Sequence, residues 1–307
     1  MVMSAQQAAD PKRWRIGLVG YGEVGTILAE DLRASGVAVS AYDRKLDGPL
    51  AAPLRQHAAQ HGVLLAESAA ALAAGAELIV SAVTASQTLA VAQACAPGLL
   101  PASWFLDFNS ASPGAKIAAA ANVASAGGRY VEGAVMTSVP PYRSRVPLLL
   151  GGPDAADLQP LLSRLGFNPT LASAKLGVAS ATKMCRSVMI KGLEAMVIES
   201  FSAARAYGVE EQVLASLAET FPGLDWEAQA SYFFQRVIQH GRRRAEEMVE
   251  AAATVREVGL EPWSASGTSK RQAWVADLRD QGLFDKAAPG DWRDAADLLL
   301  AACNTGR

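Results

Sequence analysis

One glycine pattern near the start of the chain restricts its fold more than any other feature. RIGLVGYGEVG places an apolar run, Ile16 to Val19, directly before G-x-G-x-x-G at Gly20, Gly22 and Gly25. Alone, that pattern is common. Here it follows an apolar strand and opens a helical segment reaching about Ala34, so it predicts a strand–turn–helix unit built to receive a pyrophosphate. Glycine permits the tight turn and close approach of the backbone, and the helix N-terminus supplies free N–H groups and a favourable dipole. Gly20, Tyr21, Gly22, Glu23, Val24 and Gly25 are therefore the expected dinucleotide contacts.

A second strand, VAVSAYD over 37–43, ends on Asp43, 18 residues after Gly25. A carboxylate there accepts both ribose hydroxyls of NAD and repels a 2′-phosphate. Arg44 and Lys45 follow at once and offset that repulsion, and a plain strand-end turn is the other reading of Asp43. The balance predicts NAD, leaves NADP open, and adds Asp43 and Arg44 to the cofactor contacts.

The alternation continues with a helix around 53–61, a short GVLLA, ELIVSAV (77–83), a helix over 86–95, WFLDF (104–108) and the helical SPGAKIAAAANVASA. RYVEGAVM (129–136), VPLLLGG (146–152) and a helix over 154–165 complete the region. Apolar strands separated by helices of this length predict βαβ units and a mainly parallel, doubly wound sheet. From about 177 the strand signals stop. Ala-, Leu-, Glu- and Arg-rich helices follow, punctuated by Gly208, Pro222-Gly223, Gly259, Pro262, Gly282 and Pro289-Gly290. NPTLASAKLG breaks the periodicity between them, so the expected domains are 1–174 and 175–307.

Half of the residues are hydrophobic, 19% are charged and the formal charge is −2, which predicts a soluble protein with no general attraction to nucleic acid or an anionic membrane. Arg242-Arg243-Arg244 runs into Glu246-Glu247 and reads as a solvated or ion-paired helix face. SAAALAAGAELIVSAV is interrupted by Glu77, so no membrane span is expected. The opening MVMSAQQAADPKR lacks the apolar segment of a signal peptide. Cys95, Cys185 and Cys303 are far apart and read as reduced thiols, which together predicts a cytoplasmic protein. His57 and His61, four apart, read as a surface-helix pair because no third ligand is visible, so no metal is predicted.

GVASATKMCRSVMIKGLE (177–194) sets Lys183, Arg186 and Lys191 in a helix otherwise of small and apolar residues. Periodicity alone favours solvated charges. Beside the glycine loop, however, this stretch, LDFNSASPGAKIAAA (106–120) and RYVEGAVM with VPLLLGG give the chain a likeness across nearly its whole length. It resembles the β-hydroxyacid dehydrogenase superfamily, which includes 3-hydroxyisobutyrate and 6-phosphogluconate dehydrogenases. EAMVIESFSAARAYGV (194–209) resembles that family's long interdomain helix. VPPYRSRVPLLLGG and EEMVEAAATVREVGLEP are most similar to a poorly characterised bacterial branch.

The resemblance implies an α/β Rossmann domain followed by an all-α domain, joined by a long interdomain helix, with the active site in the cleft between domains and a homodimer formed through the helical domain. It implies that Val83 and Thr84 border the cofactor, that Asn109 and Ser110 lie near its nicotinamide half, and that Lys183 is the catalytic lysine. The family's Ser-Gly-Gly substrate loop is replaced by Met136-Thr137-Ser138, followed by Pro140-Pro141, with fewer free N–H donors. Ser187, with Arg186 beside it, stands where relatives carry asparagine, and a further Lys-Asp pair reads Glu246-Glu247. Met136, Thr137, Ser138, Arg186 and Ser187 are thus the expected substrate contacts.

Oxidation of an alcohol by hydride loss needs a group to take its proton. Lysine serves if its pKa falls from about 10.4 toward neutrality, through desolvation or a neighbouring cation such as Arg186. Arg186 is alternatively a clamp for a substrate carboxylate or phosphate. Arg143, Arg145 and Lys191 read as surface charges. Trp226, Tyr232, Phe233, Phe234 and Trp263 read as helix core in preference to an aromatic pocket. The expected function is an NAD(P)-dependent oxidoreductase of the alcohol-dehydrogenase class (EC 1.1.1.-) acting on a small β-hydroxy acid or related alcohol/carbonyl pair. Reduction of an imine and a catalytically silent NAD(P)H-binding role are the alternatives, and retention of Lys183 weighs against the imine.

Overall fold

The computed structural model describes residues 10–285 and 290–305; the opening residues 1–9, on which the leader expectation rested, and Pro289 lie outside them. The chain divides into two compact units, one ending at Met184 and the other beginning at Cys185.

The first unit is built on an eight-stranded sheet. In chain order it runs β1 (Arg15–Val19), α1 (Glu23–Ala34), β2 (Ala38–Tyr42), α2 (Ala51–His61), β3 (Leu64–Leu65), α3 (Ala69–Ala74), β4 (Leu78–Ser81), α4 (Thr88–Cys95), β5 (Trp104–Asp107), α5 (Pro113–Ser125), β6 (Arg129–Val135), β7 (Pro147–Gly151), α6 (Ala155–Arg164) and β8 (Asn168–Ser173). The spatial order is β3-β2-β1-β4-β5-β6-β7-β8. Every neighbouring pair is parallel except β6 with β7. β4 and β5 are buried at every position, which is why they read as unbroken apolar runs. Order reverses between β1 and β4, so the carboxyl ends of these strands border the crevice in which such sheets receive ligands.

Two elements of this unit differ from the sequence reading. β8 was expected as a break, because NPTLAS carries neither alternation nor an apolar run. It is an edge strand with mostly exposed side chains, held to β7 through its backbone. α3 is one short Ala-rich turn and a half, closed at its start by the Ser68 hydroxyl accepting from the Ala71 N–H.

α7 (Val178–Tyr207) starts in the first unit and continues into the second, where α8 (Glu210–Thr220), α9 (Trp226–Glu257), α10 (Trp263–Asp280) and α11 (Trp292–Thr305) follow. The second unit is all helical among the described residues. Its core gathers Val197, Ile198, Phe201, Phe234 and Trp292, with the Phe201 and Trp292 rings edge to face at 5.1 Å. Trp226 and Phe234 join that core as expected, whereas Tyr232 and Trp263 are exposed. No described helix is long and apolar enough to cross a membrane.

Candidate active site

The three loop glycines are not equivalent. A Cβ on Gly20, whose φ is +96°, would lie 2.3 Å from the Ala82 carbonyl oxygen, and one on Gly25 would lie 2.0 Å from the Gly20 carbonyl oxygen. Backbone packing alone therefore forces both. A Cβ on Gly22 would meet nothing nearer than the Lys45 ammonium at 3.6 Å. Gly22 is also the N-cap of α1, and no side chain caps that helix. Open space and uncapped N–H groups coincide there, which fits a pyrophosphate. Glu23 is exposed in the first turn and Val24 packs against the sheet core.

Asp43 closes this loop from the next strand. One carboxylate oxygen accepts the Tyr21 N–H at 2.7 Å and the other accepts the Lys45 N–H at 2.8 Å. Each oxygen keeps a second lone pair, so this turn role leaves acceptor capacity for ribose hydroxyls. Arg44 is exposed and donates to Gln87 at 3.2 Å.

Beyond β4 and β5 lies a buried polar network. The Asn109 side chain accepts the Val83 N–H at 2.8 Å and donates to the Ser81 hydroxyl at 2.9 Å. Its own N–H donates to Asp107 at 2.8 Å. Asp107 is paired with Lys116 at 2.9 Å, both side chains 1% exposed, and accepts the Tyr130 hydroxyl at 2.7 Å. Burial, then the Asp107 charge, pushes the Tyr130 hydroxyl well above its ordinary range, so it remains a donor. Asn109 is thereby fixed from three directions. Thr84, past β4, is exposed.

Glu132 on β6 does the same for α7. One oxygen accepts the Gly177 and Ala179 N–H groups at 2.9 and 3.0 Å, and the other accepts the Ser180 hydroxyl at 2.9 Å. A fully buried carboxylate thus caps the first turn of the helix, where the dipole favours it. Gly177, at φ +90°, makes the turn into the helix. Lys183 follows on the next turn, and its ammonium donates to the Ser110 hydroxyl at 2.5 Å.

The structure thus joins Val83, Asn109, Ser110 and Lys183. The Met136 N–H is donated to the Pro147 carbonyl at 3.0 Å. Arg186 is exposed and Ser187 buried. Asp107, Lys116, Tyr130 and Glu132 escaped the sequence reading; the available signal was a charge inside each of WFLDF, SPGAKIAAA and RYVEGAVM, where the pattern points inward.

In the second unit, Lys191 is no surface charge: it is 6% exposed, lies 2.9 Å from Glu247, and donates to the Ser187 hydroxyl at 3.1 Å. Arg244 is also buried, paired with Glu194, whose carboxylate accepts Gln272 at 3.2 Å. Arg242 and Arg243 are exposed and ion-paired, as expected of that run. Arg143 pairs with Glu30 and Asp31.

Residues 15–172 match the NAD binding domain of 6-phosphogluconate dehydrogenase, and residues 204–275 match a domain of unknown function, DUF1932. A conserved hypothetical protein from Sinorhizobium meliloti 1021 is 38% identical, with 95% of this chain and 97% of that one covered and a TM-score of 0.77. A conserved protein of unknown function, described as structurally similar to 3-hydroxyacid dehydrogenases, is 30% identical over 87% of this chain and 99% of its own, at a TM-score of 0.67. 3-Hydroxyisobutyrate dehydrogenase from Mycobacterium tuberculosis, solved with L-serine, shares the fold at 17% identity, over 94% and 99% of the two chains and at a TM-score of 0.67.

Proposed function

The chain belongs to the β-hydroxyacid dehydrogenase superfamily, and from that premise we propose an NAD(P)-dependent oxidoreductase that interconverts a β-hydroxy acid, or a related alcohol, and its carbonyl partner. The observation that carries this is the Lys183 ammonium on the Ser110 hydroxyl, next in chain to an Asn109 fixed by three hydrogen bonds. When bound, the nicotinamide supplies hydride acceptance in one direction and donation in the other. The chain does the rest. Gly20 to Gly25 receive the pyrophosphate, and Asp43 offers its remaining lone pairs to the ribose hydroxyls, which favours NAD over NADP. In its neutral form Lys183 takes the hydroxyl proton onto Nζ as the alcohol carbon loses hydride, and as the ammonium it returns the proton in the reverse reaction. Ser110 holds Nζ in line.

The carboxylate contacts of the family's glycine loop are reduced here, because Pro140 and Pro141 lack N–H donors and the Met136 N–H is engaged. Arg186, exposed one turn beyond Lys183, is our candidate for the substrate's anionic group; Ser187 is the weaker one, since it already accepts from Lys191. Exposed Met189, Met196, Val249, Val258, Leu260 and Trp263 on the helical unit support a homodimer through that unit. The free thiols Cys95, Cys185 and Cys303 support a reducing, cytoplasmic setting.

A panel of β-hydroxy acids with NAD⁺, and of β-keto acids and cyclic imines with NADH, followed by nicotinamide absorbance, tests the reaction. Turnover of a hydroxy or keto acid is expected. Turnover of imines alone, or NADH binding with no turnover anywhere, would overturn it. Separate NADH and NADPH titrations test the cofactor: a preference of about tenfold for NADPH, or ~1.4 kcal/mol, would contradict the role given to Asp43.

A further inference from the structure

His57 and His61 are not an isolated surface pair. Folding brings Glu30, from α1, to the same place, and the donor atoms of Glu30, His57 and His61 all lie within 4.8 Å of one another. The third ligand that the sequence hid is 27 residues upstream. His57 Nε2 is 3.0 Å from Glu30 Oε1, and the two imidazoles stack at 4.4 Å with 29° between their planes. We propose that Glu30, His57 and His61 bind a zinc ion, with its fourth position open to water.

The donor set is two imidazoles and one carboxylate, with the two histidines one helical turn apart. Zinc accepts such nitrogen and oxygen ligands at about 2.0–2.2 Å, which sets neighbouring ligand atoms about 3.3 Å apart in a tetrahedron. The Glu30–His57 spacing already matches, and rotation about the side-chain bonds of His61 closes the remaining gap. Neither ring nitrogen of His61 has a hydrogen-bond partner among the described residues, so its coordination breaks no existing bond.

Two of the three ligands also carry outer partners of the kind that orient metal ligands. The second ring nitrogen of His57, Nδ1, is 2.8 Å from the Tyr21 hydroxyl, so with Nε2 on zinc the Nδ1–H donates to Tyr21. Glu30 Oε2 accepts from Arg143 at 2.6 Å, leaving Oε1 to the metal. Arg143 is the cation that moderates affinity, and Asp31, on its other nitrogen at 2.7 Å, partly offsets it. Through Tyr21 the ion would tie α1 and α2 to the glycine loop. The site shares no residue with the Lys183–Ser110 pair and does not depend on the reaction proposed above.

The test uses the full chain, stripped with EDTA and desalted, and titrated with zinc chloride against a chromophoric chelator near neutral pH. One zinc per chain is expected, bound at least about tenfold more tightly than in His61→Gln or His57→Gln. Cobalt substitution separates this site from the exposed thiols Cys185 and Cys303: a visible d–d band without a thiolate charge-transfer band is expected. No zinc uptake, equal uptake by the His57→Gln/His61→Gln double variant, or a thiolate band would overturn the proposal and leave an ion-pair cluster only. Equal thermal midpoints of wild type and His61→Gln in EDTA establish that the variant is folded.

Discussion

Both units bury charge, and they use it differently. In the first, Asp107 at the end of β5 and Glu132 in the middle of β6 are buried carboxylates, and each holds backbone as well as side chains: the Asn109 N–H in one case, the Gly177 and Ala179 N–H groups in the other. In the second, Arg244–Glu194 and Lys191–Glu247 join side chains of one helix to those of another. A charge that holds backbone sets the path of a loop or helix and so positions the residue beyond it. A side-chain pair between helices fixes packing, a task that apolar groups of similar volume can take over.

The comparison breaks most sharply at Glu132. Glu132→Ala leaves the buried Gly177 and Ala179 N–H groups without their acceptor, while the Ser180 hydroxyl keeps the Gly177 carbonyl, and is expected to cost about 3 kcal/mol or more in urea unfolding. It should also lower kcat by displacing Lys183. A loss under about 1 kcal/mol would show that water replaces the cap.

Single and double replacements then separate the two units. Arg244→Met alone strands a buried carboxylate and should cost about 3 kcal/mol, while Arg244→Met/Glu194→Leu should regain most of it. Lys116→Met/Asp107→Leu should regain little, because the Asn109 N–H and the Tyr130 hydroxyl still lose their acceptor. Equal recovery in both double variants would erase the distinction.

The glycine loop gives a smaller, graded effect. Gly25→Ala meets backbone and should destabilise by about 2 kcal/mol or more, whereas Gly22→Ala should fold within about 1 kcal/mol of wild type yet bind NADH more weakly. Thermal shift and NADH fluorescence distinguish these outcomes.

How much the sequence disclosed follows the same line. The apolar runs of β1, β4 and β5 and the glycine loop were legible because their period and turn chemistry are local. β8 was not, since its pairing rests on backbone and its side chains face outward. Lys191 and Arg244 read as solvated because their partners, Glu247 and Glu194, lie more than a dozen helical turns away in sequence. Glu30 stayed hidden beside His57 and His61 for that reason too. Lys183 became readable only beside the family pattern, while Glu132, which aims it, had no pattern of its own.

The smallest effect is a pH dependence. His57, then Arg143, hold the Glu30 carboxyl below its ordinary range. A lowered folded pKa adds stability above the unfolded value, about 4.3, and that stability is lost as pH falls through the folded one. Glu30→Gln should therefore lower stability near neutrality by less than about 1 kcal/mol, read as a small drop in thermal midpoint, and match wild type in acid. A gap that widens in acid would reverse the sign.

The central claim is that Lys183 moves the proton. With a substrate found in the panel, Lys183→Met should lower kcat by about 10²-fold or more while the NADH dissociation constant and the thermal midpoint stay within about twofold and a few degrees of wild type. An unchanged kcat with cofactor binding intact would contradict it.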